Sequence, residues 1–174
     1  MDVLFSPERY AYVTSPKEDG QGCTLCRIRD AGDDPLNFVL HRSFLNYVLV
    51  NRYPYNSGHL MIVTNRHAPD LHGLSPDERA DLIALAALAE GILLDSYSAQ
   101  GINLGMNLGE AAGAGIVGHL HLHLVPRWRG DTNHMTVVGA TRVVPEEPRT
   151  TFERLRPLFA AEGGEGTRGG GGAA

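Results

Sequence analysis

One segment of this chain restricts its fold and its chemistry more than any other. It runs from Gly118 to Trp128 and carries three histidines, His119, His121 and His123, which alternate with leucines. Successive side chains in a β-strand point to opposite sides, so strict alternation predicts a strand with one leucine face and one histidine face. We therefore expect a half-buried strand whose leucines enter a core and whose three imidazoles lie on the exposed face.

The three histidines cannot easily share one metal ion if this strand is regular. Same-face Cβ atoms lie roughly 6.6 Å apart along a strand, which separates His119 from His123 by about 13 Å. A metal reaches only about 2.1 Å to a histidine nitrogen. Two interpretations remain open. Either one imidazole is a nucleophile or acid–base group between helpers, or one or two are metal ligands, for example His119 and His121 on one ion.

Positions 119–125 match the pattern His-φ-His-φ-His-φ-φ without a gap, where φ is hydrophobic. This resembles the histidine triad (HIT) superfamily of nucleotide hydrolases and transferases. The segment from Leu4 to Tyr10, with Phe5 in place of a tryptophan, is similar to the opening of a branch that includes diadenosine tetraphosphate (Ap4A) phosphorylases. The resemblance covers residues 4–158. It implies an α+β fold with an antiparallel sheet of about five strands, helices packed on one face, and a homodimer.

The composition is that of a single globular domain. The chain has 174 residues, of which 43% are hydrophobic and 20% charged, with a formal net charge of −5. This charge predicts no surface for a nucleic-acid polymer. Without a membrane-length apolar run or a signal peptide after Met1, we expect a cytoplasmic protein with no membrane partner. We expect one domain over residues 1–162, beginning with an N-terminal arm at 1–22, and a disordered glycine-rich tail at 163–174.

Residue patterns outline the elements of the domain. Runs rich in β-branched and aromatic residues predict strands at 36–41, 44–50, 59–64 and 101–109, with shorter strands at 135–138 and 141–144. Ser75 and Pro76 predict the start of a helix, and apolar residues at helical spacing extend it to about Tyr97. A second helix is expected over 150–160.

Cys23 and Cys26, three positions apart, are the only cysteines of the chain. Two such thiolates on a turn can hold one zinc ion at about 2.3 Å, but histidines must then supply two more ligands. A redox pair or inert thiols are the alternatives, although a redox motif requires a strand before and a helix after the pair, and that context is missing. In several HIT branches a Cys-x-x-Cys pair joins two histidines around a structural zinc. The resemblance therefore implies the ligands Cys23, Cys26, His67 and His119.

A loop and a glycine-rich segment carry the residues expected to bind a nucleotide. The loop 51–59 resembles the HIT segment that receives the nucleoside. This implies that Asn51 bonds the ribose hydroxyls and that His59 lies beside the triad, although Asn51 could instead only cap the turn. Small residues before the triad let backbone N–H groups approach an anion. The resemblance implies that Asn107 and the loop residues Gly113, Ala114 and Gly115 contact the phosphates. Trp128 belongs either to this pocket or to the core.

The resemblance implies nucleotidyl transfer from an adenosine polyphosphate such as Ap4A. His121 is expected to attack the α-phosphorus, and water or inorganic phosphate then cleaves the nucleotidyl-histidine. In the family, a main-chain carbonyl behind the other ring nitrogen fixes the tautomer, while His123 and backbone N–H groups stabilise the phosphate oxygens. The expected catalytic residues are His119, His121 and His123. No catalytic metal is required, so zinc would be structural. The alternatives are a non-catalytic nucleotide sensor or scaffold, and a hydrolase of adenylylated amines.

The chain departs from phosphorylase-like sequences just before the triad. Those sequences resemble Asn-Leu-Gly-x-x-Ala-Gly-Gly-Ser, and the serine hydroxyl helps to hold anionic groups. Here the span from Asn107 to Gly115 has no hydroxyl and contains Glu110. A missing hydroxyl costs a bound anion about 0.5–1.5 kcal/mol. We therefore expect cleavage of Ap4A in which phosphorolysis to ADP plus ATP requires high phosphate and hydrolysis competes.

Overall fold

The computed structural model describes residues 22–131 and 146–165. The elements in these ranges are, in chain order, helices α1 (Thr24–Asp30) and α2 (Asp34–Asn37), strands β1 (Val39–Arg42), β2 (Asn46–Val50) and β3 (Leu60–Thr64), helix α3 (Pro76–Tyr97), strands β4 (Gly101–Gly105) and β5 (His121–Arg127), and helix α4 (Pro148–Glu165). A short 3-10 helix at Glu110–Ala112 lies between β4 and β5.

The five strands form one sheet in the order β1-β2-β3-β5-β4, and all neighbours are antiparallel. The triad strand β5 therefore pairs with the central strand β3 on one side and with β4 on the other. In this register Met61 lies opposite His123, and Val63 lies opposite His121. The expected α+β fold with about five antiparallel strands is confirmed.

Different elements cover the two faces of the sheet. On one face, alternate residues of the inner strands, including Val48, Ile62 and Leu122, pack against the long helices α3 and α4 in the main core. Full burial of such a side chain contributes about 1.5–3 kcal/mol. On the other face, residues such as Tyr47 pack with Leu25 of α1. The expectation of helices on one face is confirmed for α3 and α4, whereas α1, which the sequence pattern does not predict, lies on the opposite face.

Helix α3 begins where the sequence predicts it. The Ser75 hydroxyl accepts a hydrogen bond from the Glu78 N–H at 3.1 Å, and the Glu78 carboxylate accepts one from the Ser75 N–H at 2.7 Å. This reciprocal capping box satisfies two N–H groups that the helix cannot pair internally. The helix ends at Tyr97 and is followed by Ser98 in the left-handed region, with φ of 48°.

Two predicted strands have different limits in the structure. Residues 36 and 37 belong to α2 rather than to a strand, because the Asp33 carboxylate accepts a hydrogen bond from the Leu36 N–H at 3.0 Å and caps that helix. The strand that begins at Gly101 ends at Gly105 rather than at residue 109, because its pairing with β5 ends there.

The last helix is longer than predicted. It begins at Pro148 and reaches Glu165, so residues 163–165 are helical rather than part of a disordered tail. Each residue added to an existing helix gains a backbone hydrogen bond at little further cost. The N-terminal arm up to residue 21, the strands predicted at 135–138 and 141–144, and the tail beyond residue 165 lie outside the described residues. Within the described ranges, no helix is long and apolar enough to cross a membrane.

Candidate active site

The triad histidines lie on the face of the sheet that α1 covers, and all three are buried. Their exposed fractions are 0% for His119, 6% for His121 and 8% for His123. The prediction of an exposed histidine face is therefore wrong, because Leu25 of α1 and Ile116 of the glycine-rich segment pack over this face. His119 also precedes β5, so the spacing of a regular strand does not apply to it.

The backbone determines which nitrogen of His121 can react. Its Nδ1 lies 2.8 Å from the carbonyl oxygen of His119. A carbonyl oxygen only accepts hydrogen bonds, so Nδ1 carries the proton and Nε2 keeps its lone pair. Because the ring also lines a cavity, the neutral side chain is already in the tautomer that a nucleophile needs.

A second chain of hydrogen bonds assigns the protons of His59 and His123. The Tyr55 N–H donates to His59 Nδ1 at 3.0 Å, so the hydrogen of the neutral His59 ring is on Nε2. That Nε2 lies 3.0 Å from His123 Nδ1. His59 must be the donor in this pair, which leaves the proton of His123 on its Nε2. The centroids of the His121 and His123 rings are 4.9 Å apart. The lone pair on His121 Nε2 and the N–H donor on His123 Nε2 therefore belong to neighbouring rings.

These two rings line a cavity of about 570 Å³, a volume typical of a site for a small organic ligand. Four residues expected to bind a nucleotide also line it, namely Asn51, Asn107, Gly113 and Gly115. Helix α1 contributes a further wall through residues that include Thr24 and Ile28. The cavity therefore combines apolar walls with two histidines and the side-chain amides of Asn37, Asn51 and Asn107.

Next to the triad, the four predicted metal ligands meet. The ligand atoms of Cys23, Cys26, His67 and His119 all lie within 4.8 Å of one another. Cys23 Sγ is 3.2 Å from His119 Nδ1, and Cys26 Sγ is 3.4 Å from His67 Nδ1. In a tetrahedral site with bonds of about 2.3 Å to sulfur and about 2.05 Å to nitrogen, neighbouring sulfur and nitrogen atoms lie about 3.6 Å apart. The donor set and its spacing therefore fit one zinc ion.

The protonation states of this cluster also suit a metal. His119 Nε2 lies 2.7 Å from the Thr64 carbonyl oxygen and must donate to it, so the Nδ1 lone pair is directed to the sulfurs. Burial lowers the pKa of His119, which favours the neutral ring that a ligand requires. Burial, together with the adjacent Cys23, raises the pKa of the Cys26 thiol. A bound cation would oppose this effect and stabilise the Cys26 thiolate that a metal ligand requires.

The cysteines lie at the start of a helix and not on an isolated turn. Cys23 is the N-cap of α1, and Cys26 lies in its first turn. A helix therefore follows the pair, as a redox motif requires, whereas the residues that would form a preceding strand lie outside those described. The two histidines that face the sulfurs still favour metal binding over a redox pair. His121 is not part of this cluster, so the structure does not support one ion shared by His119 and His121.

The segment that carries His67 is fixed by an ion pair. The Arg66 guanidinium donates to both carboxylate oxygens of Glu78 at 2.8 Å. The Arg66 carbonyl accepts a hydrogen bond from the Thr64 hydroxyl at 2.8 Å. His67 is thus held next to the end of β3 and the start of α3.

The family model of the HIT domain matches residues 36–130, which is more than half of the chain. This chain belongs to the HIT family. The match includes β1 to β5 and therefore the whole sheet on which the triad lies. The predicted family membership is confirmed.

Two HIT relatives show how far the likeness extends. An AP-4-A phosphorylase of Mycobacterium tuberculosis (strain ATCC 25618 / H37Rv) is 40% identical over 129 residues, which cover 74% of this chain and 66% of that protein. A bis(5'-nucleosyl)-tetraphosphatase (asymmetrical) of Schizosaccharomyces pombe is 31% identical over 100 residues, which cover 58% of this chain and 54% of that protein. This chain therefore spans less than two thirds of the length of either relative.

Solved HIT structures share the fold. A Zn-bound histidine triad family protein from Mycobacterium smegmatis superimposes with a TM-score of 0.67 at 24% identity, over 82% of this chain and 96% of that one. A hypothetical histidine triad nucleotide-binding protein from Sulfolobus tokodaii strain 7 superimposes with a TM-score of 0.64 at 23% identity, over 86% of this chain and all of that one.

Three residues expected to bind the nucleotide do not line the HIT cavity. His59 lies behind His123, and Ala114 is buried with 8% of its surface exposed. The Trp128 indole N–H donates to the Tyr97 carbonyl oxygen at 3.2 Å, and the two rings pack edge to face. These contacts at the end of α3 favour the alternative that Trp128 is a structural aromatic residue.

The cavity also contains residues that the sequence analysis did not name individually, although Arg52 and Tyr55 belong to the loop 51–59. Tyr55 packs over His59 with ring centroids 4.6 Å apart and over His123 at 5.6 Å. Asn37, Phe38 and Arg52 line the cavity beside the ends of β1 and β2. Phe38 has a left-handed φ of 57°, which no local pattern predicts for an aromatic residue. These residues become neighbours of the triad only through the order of the strands.

Proposed function

We propose that this HIT protein is an enzyme that cleaves Ap4A, or a related adenosine polyphosphate, at the α-phosphate through a nucleotidyl-histidine. The observation that carries the proposal is the hydrogen bond from His121 Nδ1 to the His119 carbonyl, since it leaves a lone pair on Nε2 of a cavity-lining ring. The names of the two curated relatives, an AP-4-A phosphorylase and a tetraphosphatase, support this substrate class.

In the first step, the lone pair of His121 Nε2 forms a bond to the α-phosphorus. The bond from that phosphorus to the bridging oxygen breaks, and its electron pair leaves with the terminal nucleotide, which is ATP for Ap4A. The ring becomes a cationic nucleotidyl-imidazolium, and the His119 carbonyl stabilises it by accepting the Nδ1–H. The His123 Nε2–H and backbone N–H groups near Gly113 and Gly115 donate to the non-bridging oxygens.

In the second step, an acceptor oxygen bonds to the same phosphorus and the N–P bond breaks. Its electron pair returns to His121 Nε2, which restores the starting tautomer. Water as acceptor gives AMP and releases one proton to solvent, whereas inorganic phosphate gives ADP. Dividing one displacement into two lets the same oriented imidazole act first as nucleophile and then as leaving group.

The strand order supports one placement of the nucleotide across the sheet. His121 and His123 are on β5, and Asn51 directly follows β2, two strands away. Adjacent strands lie about 4.8 Å apart, so these positions are separated by about 10 Å across the sheet. An α-phosphate at β5 therefore directs the ribose toward Asn51.

We infer that Cys23, Cys26, His67 and His119 hold one structural zinc ion. When bound, the ion would join α1, the segment after β3 and the residue before β5 into one unit. No proton or phosphoryl transfer is assigned to it. Both cysteines are free thiols, a state that fits a reducing compartment such as the cytoplasm.

We also propose a homodimer formed through the edge of β4. Among the described residues, no strand pairs with the outer side of β4. Leu104 on β4 and Ile83 on α3 are 54% and 55% exposed and line an apolar groove of about 230 Å³. An unpaired strand edge with apolar neighbours favours pairing with a second copy. If analytical ultracentrifugation at micromolar concentration gives the mass of a single chain, this dimer is excluded.

The enzymatic proposal is tested by the products formed from Ap4A in labelled phosphate. We expect ATP together with AMP or labelled ADP, and a nucleotidyl adduct on His121 after rapid quenching. His121→Ala should lower kcat by several orders of magnitude and retain nucleotide binding, because binding energy is spread over base, ribose and phosphates. His72→Ala, which alters an exposed loop histidine, is the control. A His121→Ala enzyme with a tenth of the normal kcat would contradict the covalent route.

A further inference from the structure

We propose that Asn37 reads the base of the bound nucleotide and gives the cavity a preference for adenine over guanine. This inference rests on the proposed function, because it assumes that the cavity receives a nucleotide whose α-phosphate lies at His121. It adds a residue that determines specificity at the opposite end of the ligand.

The position of Asn37 follows from the strand order. The Val50 N–H donates to the Phe38 carbonyl at 3.0 Å, so the residues just before β1 lie beside those at the end of β2. Asn37 is therefore one strand beyond Asn51 when the sheet is crossed from His121. A nucleotide with its phosphate at β5 and its ribose at β2 directs its base to this place, where Asn37 lines the cavity.

The orientation of the Asn37 amide is determined by the chain itself. Its Nδ2 donates to the Asp33 carbonyl oxygen at 2.8 Å, and because that oxygen can only accept, the amide cannot be reversed without losing the bond. The second N–H on Nδ2 and the oxygen Oδ1 remain for a ligand. Asp33 is itself held, since its carboxylate caps α2 through the Leu36 N–H at 3.0 Å.

This pair of groups complements adenine. Adenine presents a donor, its exocyclic N6 amine, beside a ring-nitrogen acceptor, and an asparagine amide can bond both at once. The corresponding Hoogsteen edge of guanine presents two acceptors, O6 and N7, which leave Oδ1 without a donor. When the base presents this edge, it covers Oδ1 without supplying a donor, which weakens binding, so the fixed amide should discriminate against guanine.

The other side chains at this end of the cavity offer less basis for selection. Ile28, Leu49 and Phe38 are apolar and can stack on any base. Arg52 and Arg27 are the competing candidates, because a guanidinium only donates and would favour the two acceptors of guanine. However, the Arg52 guanidinium already donates to the Leu36 carbonyl at 3.4 Å and lies over the Phe38 ring at 5.5 Å, and the Arg27 guanidinium donates to the Thr24 hydroxyl at 3.0 Å. The geometry therefore favours Asn37 as the residue that distinguishes bases.

The experiment compares adenine and guanine ligands in two measurements. Calorimetry gives the Kd of AMP and GMP, and product analysis gives kcat/KM for Ap4A and for its guanine counterpart. We expect the wild-type chain to prefer adenine. Asn37→Ala should weaken AMP binding and kcat/KM for Ap4A by roughly tenfold, within the range of about 5- to 150-fold for a bidentate base contact. The values for guanine ligands should change by less than about twofold.

Two further variants make the result specific. Asn37→Ser keeps a polar side chain but cannot bond both groups of adenine, and it should lose the preference as Asn37→Ala does. Leu36→Ala alters the exposed neighbour on the same helix, and this variant should keep the preference for adenine. Equal losses for adenine and guanine ligands in both Asn37 variants would overturn the inference, as would a wild-type preference for GMP.

The two measurements separate the inference from the proposed function. If AMP binds with the expected preference and Ap4A is not cleaved, the base reading stands as a property of the cavity and the enzymatic proposal fails. If Ap4A is cleaved while both Asn37 variants keep the adenine preference, the enzymatic proposal stands and the base reading fails. If neither AMP nor GMP binds and Ap4A is not cleaved, both fail.

Discussion

The amide of Asn51 has two tasks that a single residue can perform together. Its Oδ1 accepts a hydrogen bond from the Tyr53 N–H at 2.9 Å, which stabilises the turn after β2. Its Nδ2 lies 3.4 Å from the His59 ring, and the residue also lines the cavity. The two interpretations of Asn51, a turn cap and a ribose ligand, are therefore compatible.

Asn51→Ala should weaken discrimination against 2′-deoxy nucleotides. The hydrogen bond that the variant loses to a ribose hydroxyl contributes about 0.5–1.5 kcal/mol, which corresponds to roughly 2- to 12-fold in kcat/KM. Kinetics with ribo and 2′-deoxy substrates measure this ratio. Asn56→Ala is the matched control, because that loop amide donates to the Pro126 carbonyl and does not line the cavity. Equal losses for both substrates in Asn51→Ala would leave the residue with its turn-stabilising role alone.

Gly115→Ser should increase the share of phosphorolysis. Gly115 stands where phosphorylase-like sequences have their serine, it lines the cavity, and it is not among the described glycines with positive φ. The added hydroxyl can donate to inorganic phosphate and should raise its capture by about 2- to 12-fold. The measurement is the ratio of labelled ADP to AMP formed from Ap4A at sub-millimolar phosphate.

Ala114→Ser is the matched control for this change, because Ala114 is buried outside the cavity lining. That variant should leave the ratio unchanged. If wild-type protein already converts Ap4A quantitatively to labelled ADP under these conditions, the serine is unnecessary and the predicted competition from hydrolysis is wrong.

At the scale of elements, α1 connects the Cys/His cluster to the cavity. Its N-cap is Cys23 and its first turn contains Cys26, while Thr24 and Ile28 line the cavity. With only seven residues, an isolated helix of this length is not stable in water. Its position is fixed by Leu25 in the apolar cluster and by the Tyr47 hydroxyl, which donates to the Leu25 carbonyl at 2.8 Å. A zinc ion at the proposed site would add to these contacts.

Cys23→Ser should remove zinc, lower the melting temperature and raise KM. Closed zinc sites contribute folding energy directly, and loss of the ion releases the wall that α1 forms. We expect about one zinc per wild-type chain by elemental analysis. His72→Ala, which alters a histidine outside the cluster, should retain the metal. Wild-type protein that is stable without zinc would contradict the structural role.

At the scale of the whole molecule, one ion pair should make stability depend on pH. Bonds from the Arg66 guanidinium, and then from the Ser75 N–H, lower the pKa of Glu78 from 4.5 to about 2. A carboxyl group whose pKa is lower in the folded state stabilises the fold above its unfolded pKa. This contribution is therefore complete above about pH 5.5 and disappears as the pH falls from about 5 toward 2.

Glu78→Gln should lower the free energy of unfolding by about 1 kcal/mol at pH 7, with a smaller difference near pH 3. Urea unfolding at pH 7, 4 and 3 measures this dependence. Asp77→Asn changes an exposed acid in the same helical turn and should have little effect. A loss that is equal at all three pH values would show that the charge of Glu78 is not responsible.

The periodic features of the sequence determined much of this molecule. Alternation in the segment 119–125 predicted the triad strand, and Ser75 with Pro76 predicted the start of α3. These signals are local, because strand alternation, helical spacing and capping involve residues within a few positions of one another. The proposed metal ligands were inferred differently, through the resemblance of Cys23, Cys26, His67 and His119 to a known family pattern.

The tertiary structure decided what surrounds these residues. The His59–His123 contact joins residues 64 positions apart, and the Cys23–His119 contact joins residues 96 positions apart. Such contacts depend on strand order and register, for which a local pattern carries no information. The burial of the histidine face and the positions of Asn37 and Phe38 were unpredictable for this reason. Leucine and histidine alternation specifies two faces of a strand, but only packing against α1 determines that the histidine face lines a cavity.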